Sequence, residues 1–395
     1  MSRVDDDGEE DSVLDLADQL NRPPDVAIQQ QRIKAWHPIL DPEWMIYGYL
    51  ILAVVLIPLG FKIKALSDSI VELHSIYDAK DQSLIDTTRT SDCRIGENYN
   101  QNKTCTIQFE APEDMEPPVM IYYELNNFHQ NHRFYSRSRD SFQLVGRVGK
   151  NRDPTFRALC EPLDVLGGKT LNPCGFVANT FFNDKISLIG GNDEDGLQLE
   201  MNEEGIAWRS DLEYKFGLPE GFQMQECPTV EECSGNSTCC QDNGFSCDSP
   251  ARSKQDGKCY AYDYPEADTT RYLHETYPDM ISPLEHVTNE HFVVWMRTET
   301  RPQFRKLYGW INQKIPKGEK IEFEIWSNYV VESFSGHKAL IVTTTNMFGG
   351  KNQYIGVTFY GLGFTFLAFG IIFAVKHWFR PRRIADRKYL HFKEE

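Results

Sequence analysis

The sequence predicts a membrane protein with two transmembrane α-helices and a large, mostly antiparallel β-sandwich exterior domain with a few helices. Two uncharged apolar runs, 44–61 and 352–375, predict the transmembrane helices, because a helix needs roughly 20 apolar residues to cross a bilayer. Runs rich in β-branched and aromatic residues, at 119–125, 319–331 and 338–345, predict the strands. Such strands, separated by frequent turns, favour an antiparallel sandwich.

Composition divides the chain into segments. Residues 1–25 are acidic and low in large apolar residues, which predicts a disordered cytoplasmic tail. The remaining boundaries are 26–43 for a short cytoplasmic segment, 44–64 for the first transmembrane helix, 65–351 for the exterior domain, 352–376 for the second transmembrane helix and 377–395 for a basic cytoplasmic tail. Directly after the first span, residues 68–79 are expected to form a short amphipathic helix.

The distribution of charge argues against nucleic-acid binding and predicts the orientation of the chain in the membrane. The chain has 58 acidic and 41 basic side chains, so it lacks the basic field that nucleic-acid binding requires. Basic side chains cluster after the uncharged run 352–375, among them Lys376, Arg380, Arg382, Arg383, Arg387 and Lys388. Basic residues stay on the cytoplasmic side, so the C-terminus is expected there. Two spans return the chain to its starting side, which places both termini in the cytoplasm.

Cysteines and sequons agree with that orientation. All ten cysteines lie between the two spans, and disulfides persist on the oxidising side of a membrane. Both N-glycosylation sequons, at Asn102 and Asn236, lie in the same domain. N-linked glycans are therefore expected, and the sequence predicts no cofactor.

Four of the cysteines form two short-range pairs. Cys93 and Cys105 flank one short loop, and Cys160 and Cys174 flank another. A disulfide across either loop would contribute about 3 kcal/mol by reducing the entropy of the unfolded chain. We predict both disulfides.

The other six cysteines form an insert at 227–259, with two adjacent cysteines in its middle. Their order resembles the inhibitor-knot miniproteins, whose pairing would here be Cys227–Cys240, Cys233–Cys247 and Cys239–Cys259. Six cysteines allow many pairings, so the pairing stays open. A structural zinc site is disfavoured because the insert lacks C-x2-C pairs and nearby histidines.

Small residues divide the second span into two faces. Gly356, Gly363 and Gly370 recur along nearly one side of a helix. The residues on a roughly opposite side are Thr358, Gly361, Thr365 and Ala368. Small residues let helices approach closely in lipid. One face is therefore expected to pack on the first span, and the other to accept a partner.

The stretch 122–140 is dense with polar side chains. His129 and His132 are three residues apart, as in some metal sites, but no carboxylate accompanies them in a ligand pattern. A structural role is favoured, in which Asn127, His132 and Arg133 hydrogen-bond to the backbone of a loop. No convincing pair of nucleophile and base occurs elsewhere, so the sequence predicts no enzyme.

The same stretch resembles a family motif. The segment "NNFHQNHRFY" (126–135) resembles N-F-Y-Q-N-H-R-R-Y of the Cdc50/Lem3 family, the non-catalytic β-subunits of type-IV P-type ATPase lipid flippases. The matching residues that we take as a structural framework are Asn127, Phe128, Asn131, His132 and Arg133. Departures are His129 for tyrosine and Phe134 for arginine.

Further segments resemble the family in the same order. They are "QQQRIKAWHPIL" (29–40), "NPCGFVANTFFND" (172–184), "IAWRSDLEYKF" (206–216), "NEHFVVWMRTETRPQFRKLYGWI" (289–311) and "GGKNQYIG" (349–356). The resemblance extends over residues 26–378, and the six-cysteine insert need not follow the family pattern.

The resemblance implies a function without catalysis in this chain. The protein would be the accessory β-subunit in a one-to-one heterodimer with a type-IV P-type ATPase. The ATPase would need it for folding, for exit from the endoplasmic reticulum and for moving membrane phospholipid to the cytoplasmic leaflet. The implied location runs from the endoplasmic reticulum to the Golgi, endosome or plasma membrane.

The implied contacts use three parts of the chain. The cytoplasmic strip with Arg32, Trp36 and Pro38 would bind the cytoplasmic membrane side of the ATPase. Gly361 and Thr365 would face its last transmembrane helices, and the exterior domain would cover its exterior loops. The main alternative is an independent cell-surface receptor or adhesion protein, in which the disulfide-rich exterior domain is the binding module.

Overall fold

The computed structural model describes residues 26–33, 42–86, 92–95, 103–147, 158–226, 252–255 and 258–381. They divide into two units. The helix pair consists of the described residues up to Phe61 and from Val357 onward, and the sheet domain runs from Lys62 to Gly356. The helices are, in chain order, α1 (Pro42–Asp68), α2 (Arg133–Arg137), α3 (Ser141–Leu144), α4 (Phe176–Asn179), α5 (Arg209–Tyr214), α6 (Leu273–Thr276), α7 (Glu290–Met296) and α8 (Gln353–Phe379).

The two long helices, α1 and α8, are the candidate membrane spans. Each has 27 residues, and a helix of that length extends about 40 Å, which exceeds the hydrocarbon thickness of a bilayer. Both are long and apolar enough to cross a membrane. They confirm the two spans that the uncharged runs predict.

A glycine stripe lets α8 approach α1. Gly356, Gly363 and Gly370 are buried. A Cβ atom added at Gly363 would lie 2.7 Å from Ile57 Cγ1, and one added at Gly370 would lie 3.0 Å from Leu50 Cδ2. Any larger residue would push the helices apart. This side of α8 therefore packs on the first span, as the glycine repeat predicts.

The sheet domain contains fourteen described strands. They are β1 (Glu72–Ala79), β2 (Lys103–Glu110), β3 (Val119–Leu125), β4 (Val165–Leu166), β5 (Lys169–Asn172), β6 (Lys185–Gly190), β7 (Met201–Asn202), β8 (Gln223–Glu226), β9 (Arg252–Gln255), β10 (Lys258–Asp263), β11 (Thr270–Tyr272), β12 (Phe304–Ile311), β13 (Lys320–Ser327) and β14 (His337–Thr344). Single 3-10 turns lie at Gln82–Leu84, His286–Thr288 and Glu332–Phe334.

Two antiparallel sheets enclose the main core. The larger has the order β1-β14-β3-β12-β7, and the smaller has the order β2-β13-β6. Side chains of both sheets meet in one hydrophobic cluster, with Ile121 and Leu340 from the larger sheet and Ile107 and Phe323 from the smaller. Alternate residues of each strand face this core, as in a sandwich. The predicted fold class is confirmed.

Two smaller sheets complete the domain. One has the order β11-β5-β4, and its β11–β5 pair is parallel. The other has the order β8-β10-β9 and is antiparallel. Strands β8 and β9 bracket residues 227–251 along the chain.

The expectation of a helix at 68–79 is wrong. Helix α1 continues to Asp68, and the following residues form strand β1. β1 pairs with β14, with Glu72 opposite Thr343. The apolar residues of this segment fit a helical period and a strand period, and pairing with a neighbouring strand decides between them. The first and last strands of the sheet domain are consequently neighbours.

Candidate functional site

The polar segment after β3 is fixed to the domain by its backbone. Phe128 N–H donates to Pro302 O at 3.1 Å. Asn127 has a positive φ of 62°, a left-handed conformation that asparagine adopts more readily than most residues. Its Nδ2 donates to Phe334 O at 2.6 Å. Asn127 therefore both makes the turn and ties it to the segment before β14.

The Phe128 ring lies at the centre of an aromatic cluster. Its centroid is 5.3 Å from that of Phe334 and 5.5 Å from that of Tyr135. Three more rings lie between 5.9 and 6.4 Å away: Trp295, Phe304 and Tyr329. Tilted and edge-to-face contacts of this kind add to the energy of burial. Phe128 thus joins the polar segment to α7 and β12.

Gln130 and Asn131 hold the second half of the segment. Gln130 is fully buried, and its Oε1 accepts a hydrogen bond from Glu299 N–H at 2.9 Å. Asn131 Nδ2 donates to Thr300 O at 2.9 Å. Both bonds reach the connection between α7 and β12, so the segment is bound to that connection along its length.

His132 and Arg133 lie on the surface at the start of α2. Both residues are exposed, and His132 caps the helix without a side-chain hydrogen bond. The neighbouring Phe134 is 77% exposed. The side chain of Asn127 makes the expected hydrogen bond to a backbone carbonyl. The side chains of His132 and Arg133 face outward instead. The proposed framework therefore divides into residues that hold the fold and residues that a partner can reach.

Residues 172–184 pack against the same region. Gly175 has a φ of 96°, and a Cβ atom there would lie 2.2 Å from Ser138 O, so glycine is required by both conformation and space. Tyr135 Oη and Thr180 Oγ1 share a hydrogen bond of 2.8 Å. Two segments that are separate motifs in the sequence form one packing unit in the fold.

The described residues contain two disulfides, Cys93–Cys105 and Cys160–Cys174. They are the two short-range pairs that the sequence predicts. All four cysteines are buried, and Cys174 N–H also donates to Gln143 Oε1 at 2.8 Å. The predicted knot residues Cys227, Cys233, Cys239, Cys240 and Cys247 lie outside the described residues, as does the side chain of Cys259.

A buried ion cluster connects β14 to residues 172–184. Lys338 is fully buried, and its Nζ lies 2.7 Å from Asp184 and 3.3 Å from Asp78. The same amine donates to Ser327 Oγ at 2.8 Å and to Tyr329 O at 2.7 Å. A buried amine needs this number of acceptors to offset the loss of water.

Asp184 is the central acceptor of the cluster. Tyr77 Oη donates to its Oδ2 at 2.8 Å, and the backbone N–H groups of Asn328 and Tyr329 donate to its Oδ1 at 2.6 and 2.5 Å. Burial raises the pKa of Asp78, and the nearby Lys338 charge opposes that rise. One lysine thus serves two carboxyl groups in the same buried pocket.

A second group of charges lies on the larger sheet. The Arg305 guanidinium donates to both carboxylate oxygens of Glu72 at 3.0 Å, and its Nε donates to Glu124 at 3.0 Å. Burial alone would raise the pKa of Glu124. Hydrogen bonds from two histidines, a glutamine and Arg305 outweigh it and hold the pKa well below its ordinary value. These bonds join β1, β3 and β12.

A surface cavity of about 770 Å³ lies beside α5 and α7. Its lining includes Arg297, Lys215 and Asp211. Asp211 is buried and accepts from Arg297 Nε at 2.5 Å and lies 2.7 Å from Lys215 Nζ. The hydrogen bond from Arg297 lowers the pKa of Asp211. Arg297 also stacks over the Trp208 ring at 4.7 Å. Two cations of this cavity are therefore already paired.

The second predicted face of α8 is open in this chain. A Cβ atom added at Gly361 would meet nothing within 4 Å. Thr365 is exposed, and its Oγ1 donates to Gly361 O at 2.9 Å. The hydroxyl is therefore satisfied within the helix, and the surface around it is available to another helix.

In the strip that the sequence predicts to be cytoplasmic, the described residues are 26–33. Arg32 is exposed, and the apolar side chains of Ile28 and Ile33 are 69% and 58% exposed. Trp36 and Pro38 lie outside the described residues, as do the sequons Asn102 and Asn236.

The charged pairs are the part of the site that sequence reasoning missed. Asp184, Asp211, Arg297 and Arg305 all lie in family-like segments, yet a charged residue in a sequence is ordinarily read as solvated surface. Lys338 directly precedes the apolar run 339–342 of a strand, yet Lys320 also begins a strand and is exposed. A lysine is rarely buried unless it is paired, and the carboxylates that pair with Lys338 come from distant parts of the sequence.

The described residues contain no group of three metal-ligating side chains, and His129 and His132 are both exposed. The arrangement around Phe128 therefore acts by fixing shape, through aromatic packing and hydrogen bonds to backbone carbonyls. The exposed side chains of the same segment include His129, His132, Arg133 and Phe134.

Comparison with known proteins gives matches along the whole described fold. The model of the LEM3 (ligand-effect modulator 3) family / CDC50 family matches residues 63–383. ALA-interacting subunit 3 from Arabidopsis thaliana is 32% identical over 372 residues, which cover 93% of this chain and 90% of the relative. Cell cycle control protein 50A from Bos taurus is 32% identical over 368 residues, with coverages of 91% and 90%. Phospholipid-transporting ATPase accessory subunit CRF1 from Saccharomyces cerevisiae is 29% identical over 406 residues, with coverages of 95% and 90%.

Proposed function

The chain belongs to the LEM3/CDC50 family, and from that membership we propose that it is the accessory β-subunit of a type-IV P-type ATPase that moves phospholipid to the cytoplasmic leaflet. It is an integral membrane protein with two candidate spans. The observation that carries the proposal is the extent of the similarity. A relative named as a phospholipid-transporting ATPase accessory subunit aligns with 95% of this chain, including both spans and the sheet domain. This similarity does not favour an independent receptor.

In this role the chain supplies shape and carries out no catalysis itself. The buried carboxylates that look reactive in isolation are paired with cations, Asp184 with Lys338 and Asp211 with Arg297. A rigid domain of this kind suits a subunit that binds its ATPase one-to-one and supports the folding, export and activity of that ATPase. No cofactor is needed for such a role.

The transmembrane contact is proposed on the open face of α8. The opposite face is filled by α1 through Gly363 and Gly370. The helix surface around Gly361 and Thr365 is shallow, because Gly361 has no side chain. A transmembrane helix of the ATPase can approach this surface closely and gain van der Waals contacts that lipid tails do not supply as well.

The cytoplasmic contact is proposed on the strip that contains Arg32, Trp36 and Pro38. Its described apolar side chains, Ile28 and Ile33, are mostly exposed. A segment of this length is too short to bury them on itself, so the cytoplasmic membrane side of the ATPase would cover them.

The proposed topology places both termini in the cytoplasm and the sheet domain in the lumen or outside the cell. The two disulfides support this side, because an oxidising compartment maintains them. Glycans would be attached at Asn102 and Asn236. The complex would form in the endoplasmic reticulum and reach the Golgi, endosome or plasma membrane.

The test is affinity purification of the full chain from native membranes in mild detergent, with identification of the proteins that accompany it. A P-type ATPase is expected in one-to-one amount. Recovery of the chain without any such ATPase, together with unchanged phospholipid uptake when the chain is deleted, would contradict the proposal.

Paired variants test the proposed helix contact. Gly361→Leu combined with Thr365→Leu should lower the recovered ATPase about tenfold, since a loss of about 1.4 kcal/mol is a factor of ten in affinity. Leu362→Phe is the control, because it adds bulk about a quarter of a turn away at a side chain that is 48% exposed. Equal recovery with both variants would show that the ATPase binds a different face.

A further inference from the structure

The connection between β14 and α8 carries two exposed apolar side chains at its tip. Asn346 N–H donates to Gly349 O at 3.1 Å, and Gly349 N–H donates to Asn346 O at 2.9 Å. Asn346 Oδ1 also accepts from Phe348 N–H at 2.8 Å. Gly349 has a φ of 95°, which this closed turn requires. Met347 and Phe348 are 87% and 48% exposed.

The turn is fastened to the end of the first membrane helix. Asn346 Nδ2 donates to Leu66 O at 2.9 Å. Asn352 N–H donates to Ser67 Oγ at 2.9 Å. Both acceptors belong to the last turn of α1, where helix carbonyls lack intrahelical partners. These bonds hold the tip at a fixed height relative to α1.

The position along α1 gives that height. The uncharged run of α1 ends at Phe61, and Leu66 is five residues further, which is about 7 Å along the helix axis. The headgroup layer on each side of the hydrocarbon core has a similar thickness of roughly 5–7 Å. This height would place the turn at the level of the lipid headgroups, close to the exposed aromatic residue Tyr354 in the first turn of α8.

Two lysines belong to the segments that the turn joins or contacts. Lys62 follows the uncharged run of α1, and Lys351 lies between the turn and α8; both are exposed. Lysines at this level place their ammonium groups near lipid phosphates while their alkyl stems remain among apolar groups. An apolar tip accompanied by basic residues is the composition of segments that bind the membrane interface.

We propose that Met347 and Phe348 insert into the leaflet beside the sheet domain, at the boundary between headgroups and acyl chains. The turn then contacts phospholipid directly. The occupant is lipid because the turn is hydrogen-bonded to the last turn of α1 and closes four residues before α8 begins, and both helices are candidate membrane spans. This interaction requires no ATPase, so it stands or falls separately from the proposed function.

Spin-label accessibility in the full chain tests the proposal, with the protein in phosphatidylcholine nanodiscs. The labelled variants are Met347→Cys and Phe348→Cys. Phe134→Cys is the matched control, since Phe134 is an exposed phenylalanine of the same domain that follows the far end of β3. The unsubstituted chain reports any labelling of native cysteines.

Labels at 347 and 348 should be at least about fivefold less accessible to a water-soluble nickel chelate than the label at 134, and more accessible to oxygen, as insertion into an apolar layer requires. Equal nickel accessibility at the three positions would overturn the proposal. Protection that appears after the ATPase is added, and that excludes oxygen as well, would also overturn it, because that pattern identifies a protein contact.

A second variant keeps the test decisive if a cysteine substitution prevents folding. Phe348→Trp places a fluorophore at the tip, and its added fluorescence should be quenched by brominated phosphatidylcholine. An absence of quenching above that of the unsubstituted chain would contradict insertion.

Discussion

The sheet domain and the helix pair differ in how far the chain itself supplies the packing partners of their residues. In the sheet domain, residues of the family-like segments pack on one another: Phe128 is surrounded by aromatic rings, and Lys338 lies between two carboxyl groups. In the helix pair, the glycine face of α8 is covered by α1, and the face around Gly361 is open. Family-like residues therefore have two uses here, because some preserve the shape of a domain and others leave room for another molecule.

Lys338→Met should give the largest loss of stability in the sheet domain. It leaves Asp184 and Asp78 buried without a cation, and breaking a buried pair in this way costs about 3–5 kcal/mol. Thermal unfolding of the full chain in detergent measures the loss. Lys320→Met is the control, because Lys320 is exposed on β13, and its effect should be within about 0.5 kcal/mol. Equal stability of the two variants would show that the cluster does not support the domain.

Phe128→Ala should give the next largest effect. Removing a ring from a packed aromatic cluster leaves a cavity, and for this partly buried side chain we expect a loss of about 2–3 kcal/mol in the free energy of unfolding. Phe134→Ala in the same motif is the matched control and should change it by less than about 0.5 kcal/mol. A larger loss of stability for Phe134→Ala than for Phe128→Ala would mean that the motif acts at the surface and not in the core.

Gly363→Leu and Gly361→Leu compare the two faces of one helix. The Gly363 variant forces side-chain atoms into Ile57 and should destabilise the chain by about 1–3 kcal/mol, measured by thermal unfolding in nanodiscs. The Gly361 variant points into open space, so the isolated chain should keep its stability. Similar losses for both would remove the distinction between a filled and an open face.

His286 gives the smallest effect, and it depends on pH. The residue is fully buried, and burial lowers its pKa to about 3. The folded chain keeps the imidazole neutral, whereas the unfolded chain protonates it below about pH 6.5. Its contribution is therefore complete above pH 6.5 and is lost as the pH falls toward 3.

At pH 5.5 the loss from His286 is about 1.4 kcal/mol, since one pH unit below the unfolded pKa corresponds to that energy. His286→Asn abolishes the titration and suits the positive φ of 48°. The fall in stability between pH 7.5 and 5.5, measured by urea unfolding, should be smaller in this variant by that amount. Some slope should remain from His274, whose pKa is also lowered by burial. An unchanged slope would contradict the assignment to His286.

Much of the fold was predictable because its signals are local. Uncharged runs identify α1 and α8, and enrichment in β-branched and aromatic residues identifies β3, β13 and β14. Strand β1 was not predictable, because its apolar residues suit a helix equally well and its partner β14 comes at the other end of the domain. The decisive hydrogen bonds for such a strand are long-range.

The candidate site was predictable to a smaller extent. The pairs Cys93–Cys105 and Cys160–Cys174 were accessible because each closes a short loop. Whether the polar motif serves the core or a partner could not be read from residue types, since asparagine, histidine and arginine suit either place. The packing of residues 172–184 under α2 separates Asn127 and Phe128 from His132 and Arg133, and that contact joins distant parts of the chain.

The pairing of β1 with β14 determines how the molecule transmits force. Glu72 begins β1 soon after the first membrane helix, and Thr343, opposite it, ends β14 shortly before the second. A lateral pull that separates the membrane helices therefore acts on one end of an antiparallel ladder, whose hydrogen bonds would open one after another, as in a zipper.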